Sequence, residues 1–248
     1  MKCIVVIGTY NEAETISRLL SDIVHLGPQY EVIVVDDNSP DGTGRIASQM
    51  AVSEPRVHLI ERPTKLGYGT AYLEGFRRAL DLGADYIVQM DADYSHNPRD
   101  IPRLVEAAED ADMVIGSRYV RGGDTPGWPL RRRLISRTAG LVARLLLGLP
   151  IRDCTGGFKC FRRSTLQSID FARIRSRGFA SSYEMNYFCH RSGKALREIP
   201  IGFVDRQAGK SKLSLGIIVE ALIAIFRLRI SGAQGHRRSG HSSRHSLK

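Results

Sequence analysis

What this chain lacks narrows its possible roles. Its four cysteines, Cys3, Cys154, Cys160 and Cys189, form no C-x-x-C pair, which argues against a zinc site or a disulfide framework. The amino terminus, MKCIVVIGTYNE, has an apolar stretch too short for the h-region of a signal peptide. Together these absences point to a reducing, cytoplasmic setting. No internal repeat occurs, and no low-complexity block precedes the tail. No motif interleaves aromatic and basic residues, so nucleic acid is not an expected partner. Acidic residues are few: 26 stand against 36 basic ones in 248 residues, a formal charge of +10. That excess favours anionic partners such as phosphorylated substrates or anionic membrane surfaces. The stretch 231–248 holds Arg237, Arg238, Arg244 and Lys248 and no acidic residue, and reads as a solvated, disordered tail.

The first half alternates two periodicities. Apolar, β-branched runs at Cys3–Ile7, Glu31–Val35, Val57–Glu61, Tyr86–Met90 and Met113–Gly116 predict five strands. Helical spacing over Asn11–Leu26, Thr43–Val52, Gly69–Gly83 and Asp100–Asp110 predicts the helices between them. Strands separated by helices argue for an α/β fold with a largely parallel sheet covered on both faces. Such a unit would occupy about residues 1–120, with about 121–230 built onto it as one catalytic domain. Ligands in such sheets bind at the carboxyl ends of the strands. Four polar clusters fall at those ends: Thr9–Glu12, Asp36–Asp41, Asp91–Asp93 and Gly116–Arg118.

Among them, Asp91-Ala92-Asp93 carries the most chemistry. In extended backbone, residues i and i+2 share a face, and two neighbouring carboxylates repel unless a cation sits between them. A hard divalent ion, Mg²⁺ or Mn²⁺, suits such oxygen ligands and leaves positions for phosphate oxygens. Asp36–Thr43 is a second acidic turn, able to accept bonds from a base or ribose or simply to cap a helix. Lys65–Gly69 precedes a helix whose first amides suit a phosphate, a plain loop being the equal alternative. Arg118 follows a strand directly, and Arg131, Arg132 and Arg133 lie beside Trp128, where guanidinium groups fork onto phosphate. Phe203–Lys212 is a basic, Gly- and Ser-containing stretch with the makings of a lid.

Thr9-Tyr10-Asn11-Glu12, Val35–Thr43, Met90–Asp93, Gly116–Tyr119, Asp153–Phe158 and Arg206–Lys212 occur in that order. As a set they resemble the family 2 glycosyltransferases of GT-A fold, and more narrowly the polyprenol (dolichol) monophosphate mannose synthases. The resemblance covers about residues 1–215. It implies GDP-mannose as donor, a polyprenyl monophosphate as acceptor and a divalent metal. By position, Gly8, Tyr10, Glu12, Val35 and Asp37 are implied to hold the guanosine. Asp91, Ala92 and Asp93 are implied to meet metal and diphosphate. Arg118, Arg132 and Ser136 fall to the acceptor phosphate, and Arg206 and Lys212 to the donor diphosphate. Gly8 stands where the family commonly has proline. Ser95 stands where some relatives have glutamine as a metal contact, which leaves the third protein ligand to Ser95 or His96. The same resemblance allows two other outcomes: UDP-glucose as donor, or a non-catalytic nucleotide-binding partner.

A lipid acceptor requires contact with a membrane. Leu134–Leu149 and Leu213–Ile230 are apolar but interrupted by charge, short of the about 20 mostly apolar residues that span a bilayer. Both suit amphipathic helices lying at the cytoplasmic membrane face. A separate membrane subunit as anchor is left open.

Overall fold

The computed structural model describes residues 1–205 and 220–230. Arg206, Lys212, residues 213–219 and the 231–248 tail lie outside these, so the expected diphosphate clamp, most of the lid and the basic tail have no structural description.

Seven strands form one sheet: β1 (Cys3–Thr9), β2 (Tyr30–Asp36), β3 (Val57–Glu61), β4 (Tyr86–Asp91), β5 (Met113–Ser117), β6 (Lys159–Arg162) and β7 (Leu196–Pro200). Their order is β3-β2-β1-β4-β6-β5-β7. All pairs are parallel except the two that β6 makes with β4 and β5. The five strands read from the sequence are present. Two were not read, β6 and β7, and β6 separates β4 from β5. The residues beyond 120 therefore complete the same sheet.

Helices α1 (Ile16–Val24), α2 (Thr43–Ser53), α3 (Tyr68–Asp81), α4 (Ile101–Ala107), α5 (Leu130–Leu147), α6 (Arg163–Ser168) and α7 (Ser181–Arg191) cover both faces. Alternation along β1 shows how. Ile4 and Val6 enter a core with Phe76 of α3, Phe161 and Tyr183 of α7. Cys3, Val5 and Ile7 enter another with Ile16, Leu19 and Ile23 of α1 and Leu104 of α4. Removal of this apolar surface from water is the main driving force for the fold. Helix α3 lies close on β1 because Gly75 has no side chain: a Cβ there would sit 2.2 Å from Val6 Cγ1.

Helix α1 is shorter than its apolar spacing suggests. Asn11 takes a left-handed conformation (φ 61°) and Thr15 is the N-cap residue, so residues 11–15 belong to the rim loop after β1.

Candidate active site

The carboxyl ends of β1, β2, β4 and β5 bring together Thr9, Asp36, Asp91 and Ser117. Because β6 runs the other way, its entry segment Asp153–Phe158 reaches the same rim.

On the β1–β2 side, Thr9 Oγ1 and Ser39 Oγ both donate to Asp36 Oδ1, at 2.7 and 2.6 Å. Tyr10 and Glu12 follow β1 and Asp37 follows β2, whereas the Val35 side chain is buried in the core with Ile4 and Phe76. Asp37 is buried; it faces Arg62 Nη1 at 2.7 Å and accepts the Gly67 N–H at 3.0 Å. Lys65 Nζ lies 3.6 Å above the Tyr10 ring, a cation–π contact. Two of the amides in Lys65–Gly69, the stretch that enters α3, are already engaged. Gly67 N is bonded to Asp37, and Gly69 N donates to Arg177 O at 2.7 Å. A helix start offers anion binding only through amides that have no other partner.

Asp91 ends β4 and pairs in register with Gly8. Its Oδ1 accepts from Tyr68 Oη at 3.1 Å; Tyr72 Oη lies 3.2 Å from the same oxygen but closer, at 2.7 Å, to the Met90 carbonyl. Burial, reinforced by the nearby Asp91 charge, pushes both phenols well above their ordinary pKa, so they remain donors. The Gly156–Gly157 pair lets the backbone pass close by. A Cβ on Gly157 would lie 2.9 Å from Tyr68 Oη and 3.3 Å from Asp91 Oδ2.

The extended backbone expected through Asp93 ends at Asp91. Residues 92–96 bend, and Tyr94 is left-handed (φ 57°). Asp93 is buried in that bend and accepts the Ser95 N–H at 3.1 Å. Ser95 Oγ is buried with no hydrogen-bond partner among the described residues. His96 is fully enclosed, stacked on Phe158 with ring centroids 4.9 Å apart, and its Nδ1 accepts the Asp91 N–H at 3.3 Å. Burial lowers its pKa, outweighing the pull of Asp91 and Asp93 upward, so the imidazole is neutral at physiological pH. Among the described residues no group of three His, Cys, Asp or Glu side chains is arranged around a common metal position.

The arginines form the opposite wall. Arg118 donates to Asp153 through its backbone N–H at 3.0 Å, and through Nε and Nη2 at 2.7 Å each; Nη2 also donates to Thr155 Oγ1. Asp153 is fully buried and Arg118 nearly so. Burial opposes both charges, but each partner outweighs it: Arg118 rises and Asp153 falls from its ordinary pKa. Those bonds leave Nη1 as the guanidinium nitrogen uncommitted to Asp153 or Thr155. Arg132 lies on Trp128, its guanidinium carbon 3.9 Å from the ring centre, and pairs with Asp205. Ser136 Oγ accepts from Tyr119 Oη at 2.6 Å. Arg118 lies 5.2 Å from the Tyr119 ring centre and 5.6 Å from that of Trp128. Arg118 thus lies near both the ring that carries Arg132 and the ring whose hydroxyl bonds Ser136. Asp153 and Tyr72 were assigned no role from the sequence. The Asp153–Phe158 motif marked the first, while nothing local marked the second.

Helix α5 exposes Leu130, Leu134, Ile135, Leu141 and Leu145. The helical segment 220–230 exposes Leu222, Ile223, Phe226 and Ile230, and Arg229 joins it to α5 through a bond to Leu146 O at 2.9 Å. Arg227 of that segment pairs with buried Glu184 of α7. No described helix is long and apolar enough to cross a membrane.

A sheet of this order, with carboxylates and a buried arginine–aspartate pair gathered at the carboxyl ends of its strands, is that of a glycosyltransferase. The glycosyl transferase family 2 model matches residues 4–170, and the chain belongs to that family, with the α/β, GT-A-type sheet expected of it. Undecaprenyl-phosphate mannosyltransferase of Micrococcus luteus is 44% identical over 227 residues, spanning 92% of this chain and 93% of its own length. Polyprenol monophosphomannose synthase of Mycolicibacterium smegmatis is 41% identical over 233 residues, 93% of this chain and 88% of its own. In fold alone, the chain resembles glucosyl-3-phosphoglycerate synthase of Mycobacterium tuberculosis, solved with Mn²⁺, UDP-glucose and phosphoglyceric acid. The TM-score is 0.64 at 19% identity, over 90% of this chain and 79% of that one.

Proposed function

We propose that this protein transfers mannose from GDP-mannose to a polyprenyl monophosphate, inverting the sugar to give a β-mannosyl phosphate. The observation that carries this reading is the pairing of an Asp91–Asp93 rim with an arginine wall built on Trp128 and Tyr119. The identity of this chain to two polyprenyl-phosphate mannosyltransferases supports it. Gly8, Tyr10, Glu12, Val35 and Asp37 form the guanosine edge. Arg118 Nη1, Arg132 and Ser136 receive the acceptor phosphate, and Arg206 and Lys212 meet the donor diphosphate.

The residues present suit a hard divalent cation. Asp91, Asp93 and the unpartnered Ser95 hydroxyl offer oxygen donors, which Mg²⁺ and Mn²⁺ both accept. Ser95 fits better than His96, whose Nδ1 is engaged with the Asp91 amide. A bound cation supplies positive charge to the diphosphate as it leaves. The protein's own work is positional. Tyr68 holds the Asp91 carboxylate while Tyr72 ties down the adjoining Met90 carbonyl, and the arginines bring one anion up to another that would otherwise repel it. The acceptor phosphate is ionised near neutral pH, so the reaction needs no base to remove a hydroxyl proton. In-line attack then inverts the anomeric carbon.

The exposed apolar residues of α5 and 220–230, with Arg137 and Arg229 among them, seat the enzyme on the cytoplasmic membrane face. A separate membrane subunit is not required by this reading. Sedimentation with anionic vesicles reads the contact, and a protein left wholly in the supernatant would remove that part of the proposal. The activity is tested by radiolabelled sugar transfer into polyprenyl phosphate with donors and metals varied. Transfer from GDP-mannose that needs a divalent ion is expected. Preference for UDP-glucose, or a product of retained configuration, refutes the assignment.

A further inference from the structure

Arg118 and Arg132 are held by carboxylates of opposite character. Asp153 is fully buried and takes three bonds from Arg118. Asp205 is half exposed, and both its oxygens meet a single nitrogen, Arg132 Nη1, at 3.0 and 2.8 Å. The first pair is a permanent part of the wall. The second can be exchanged, because a partly exposed ion pair contributes little net stability.

We propose that Asp205 is an internal stand-in for the acceptor phosphate. Its carboxylate occupies Arg132 in the free enzyme, and an incoming phosphate monoester must displace it. The inference rests on the reading of Arg132 as an acceptor ligand and names a further affinity-setting residue for that site.

Three observations support it beyond the contact itself. The Arg132 guanidinium is stacked on Trp128 at 3.9 Å, which gives it a support besides Asp205. The chain leading to Asp205 is anchored by three backbone bonds just before it. Ile201 N donates to Ser117 O at 3.1 Å, Phe203 N to Asp124 O at 2.9 Å and Val204 N to Ser95 O at 3.2 Å. A short side chain on an anchored backbone competes as an intramolecular ligand, at high effective concentration. Carboxylate and phosphate oxygens also present the same acceptors to a guanidinium.

The consequence is selectivity by charge. A phosphate monoester carries more negative charge than a carboxylate and displaces Asp205. An anion of single charge gains less and is held off, which spares the site from small carboxylates and from lipids with a phosphodiester headgroup.

The test is steady-state transfer to a short, water-soluble isoprenyl phosphate, with calorimetric binding of the same compound in the absence of donor. Asp205→Asn is expected to lower the acceptor KM and Kd about fivefold, equivalent to about 1 kcal/mol. The donor KM should stay unchanged, and inorganic phosphate should inhibit the variant more strongly. Asp205→Glu should restore wild-type acceptor affinity. If Asp205→Asn binds acceptor no tighter while Arg132→Gln binds it more weakly, Asp205 is only a surface ion pair and the stand-in role is wrong. If Arg132→Gln leaves acceptor affinity intact, the acceptor-site reading falls and the stand-in role with it.

Discussion

Replacing Asp153 with alanine should be among the most damaging single changes at the rim. The side chain is fully buried and accepts the Arg118 backbone N–H at 3.0 Å, Nε and Nη2 at 2.7 Å each, and Thr155 Oγ1 at 3.2 Å. Its removal strands a buried guanidinium and an amide that loses its partner. Breaking a buried pair from one side costs about 3–5 kcal/mol, whereas removing both partners costs much less. The double variant Arg118→Met/Asp153→Ala should therefore recover at least about 2 kcal/mol of the single loss. Urea denaturation followed by far-ultraviolet circular dichroism measures this, with Trp128 fluorescence as a second, local probe. The pair also sets a pH dependence. The Asp153 pKa is lowered in the folded state, despite burial, by Arg118. Its stabilising contribution is thus present above the ordinary aspartate pKa and disappears as pH falls through the folded value. A loss below about 1 kcal/mol for Asp153→Ala, or a coupling energy near zero, would show that the pair does not hold the wall together.

Two other changes probe separate parts of the molecule. Lys159 is fully buried against Ser182 Oγ at 2.5 Å, and burial pushes its pKa down to about 8 from 10.5. Here the unfolded chain holds the proton more tightly, so this group's share of stability rises between about pH 8 and 10.5, by about 3 kcal/mol in full. Subtracting the Lys159→Met melting profile from the wild-type one should expose that rise, and a flat difference would contradict it. Gly157→Ala should depress transfer at least tenfold with little change in melting temperature. A Cβ 2.9 Å from Tyr68 Oη and 3.3 Å from Asp91 Oδ2 displaces the rim carboxylate without opening the core; unchanged kcat would remove Tyr68 and Gly157 from the positioning of Asp91.

Five strands and four helices of the first half were legible because their signals are local. The β-branched runs and helical spacing are complete within each segment, and apart from the late start of α1 their boundaries fell within a few residues of those observed. Asp91 at a strand end was legible for the same reason. The backbone of Asp93 was not legible, since the strand ends two residues earlier, at Asp91, and gives way to a bend that contains a left-handed tyrosine. For Lys65–Gly69 the sequence left phosphate binding and a plain loop equal, because it does not show that the Gly67 and Gly69 amides have distant partners. Asp37, 30 residues away, and Arg177, more than 100 away, take them.

The amino-acid order alone determined the alternating α/β pattern and the gathering of polar clusters at strand ends, because hydrophobic periodicity is imposed by neighbours along the chain. Only the tertiary structure decided that Lys159–Arg162 is a strand between β4 and β5, since four residues beginning with a buried lysine carry no strand signature of their own. That insertion brings Asp153 to Arg118 and Gly157 to Asp91. The division of the arginines into one locked and one exchangeable arises there too, because it depends on which carboxylate, 35 or 73 residues away, the packed chain delivers to each.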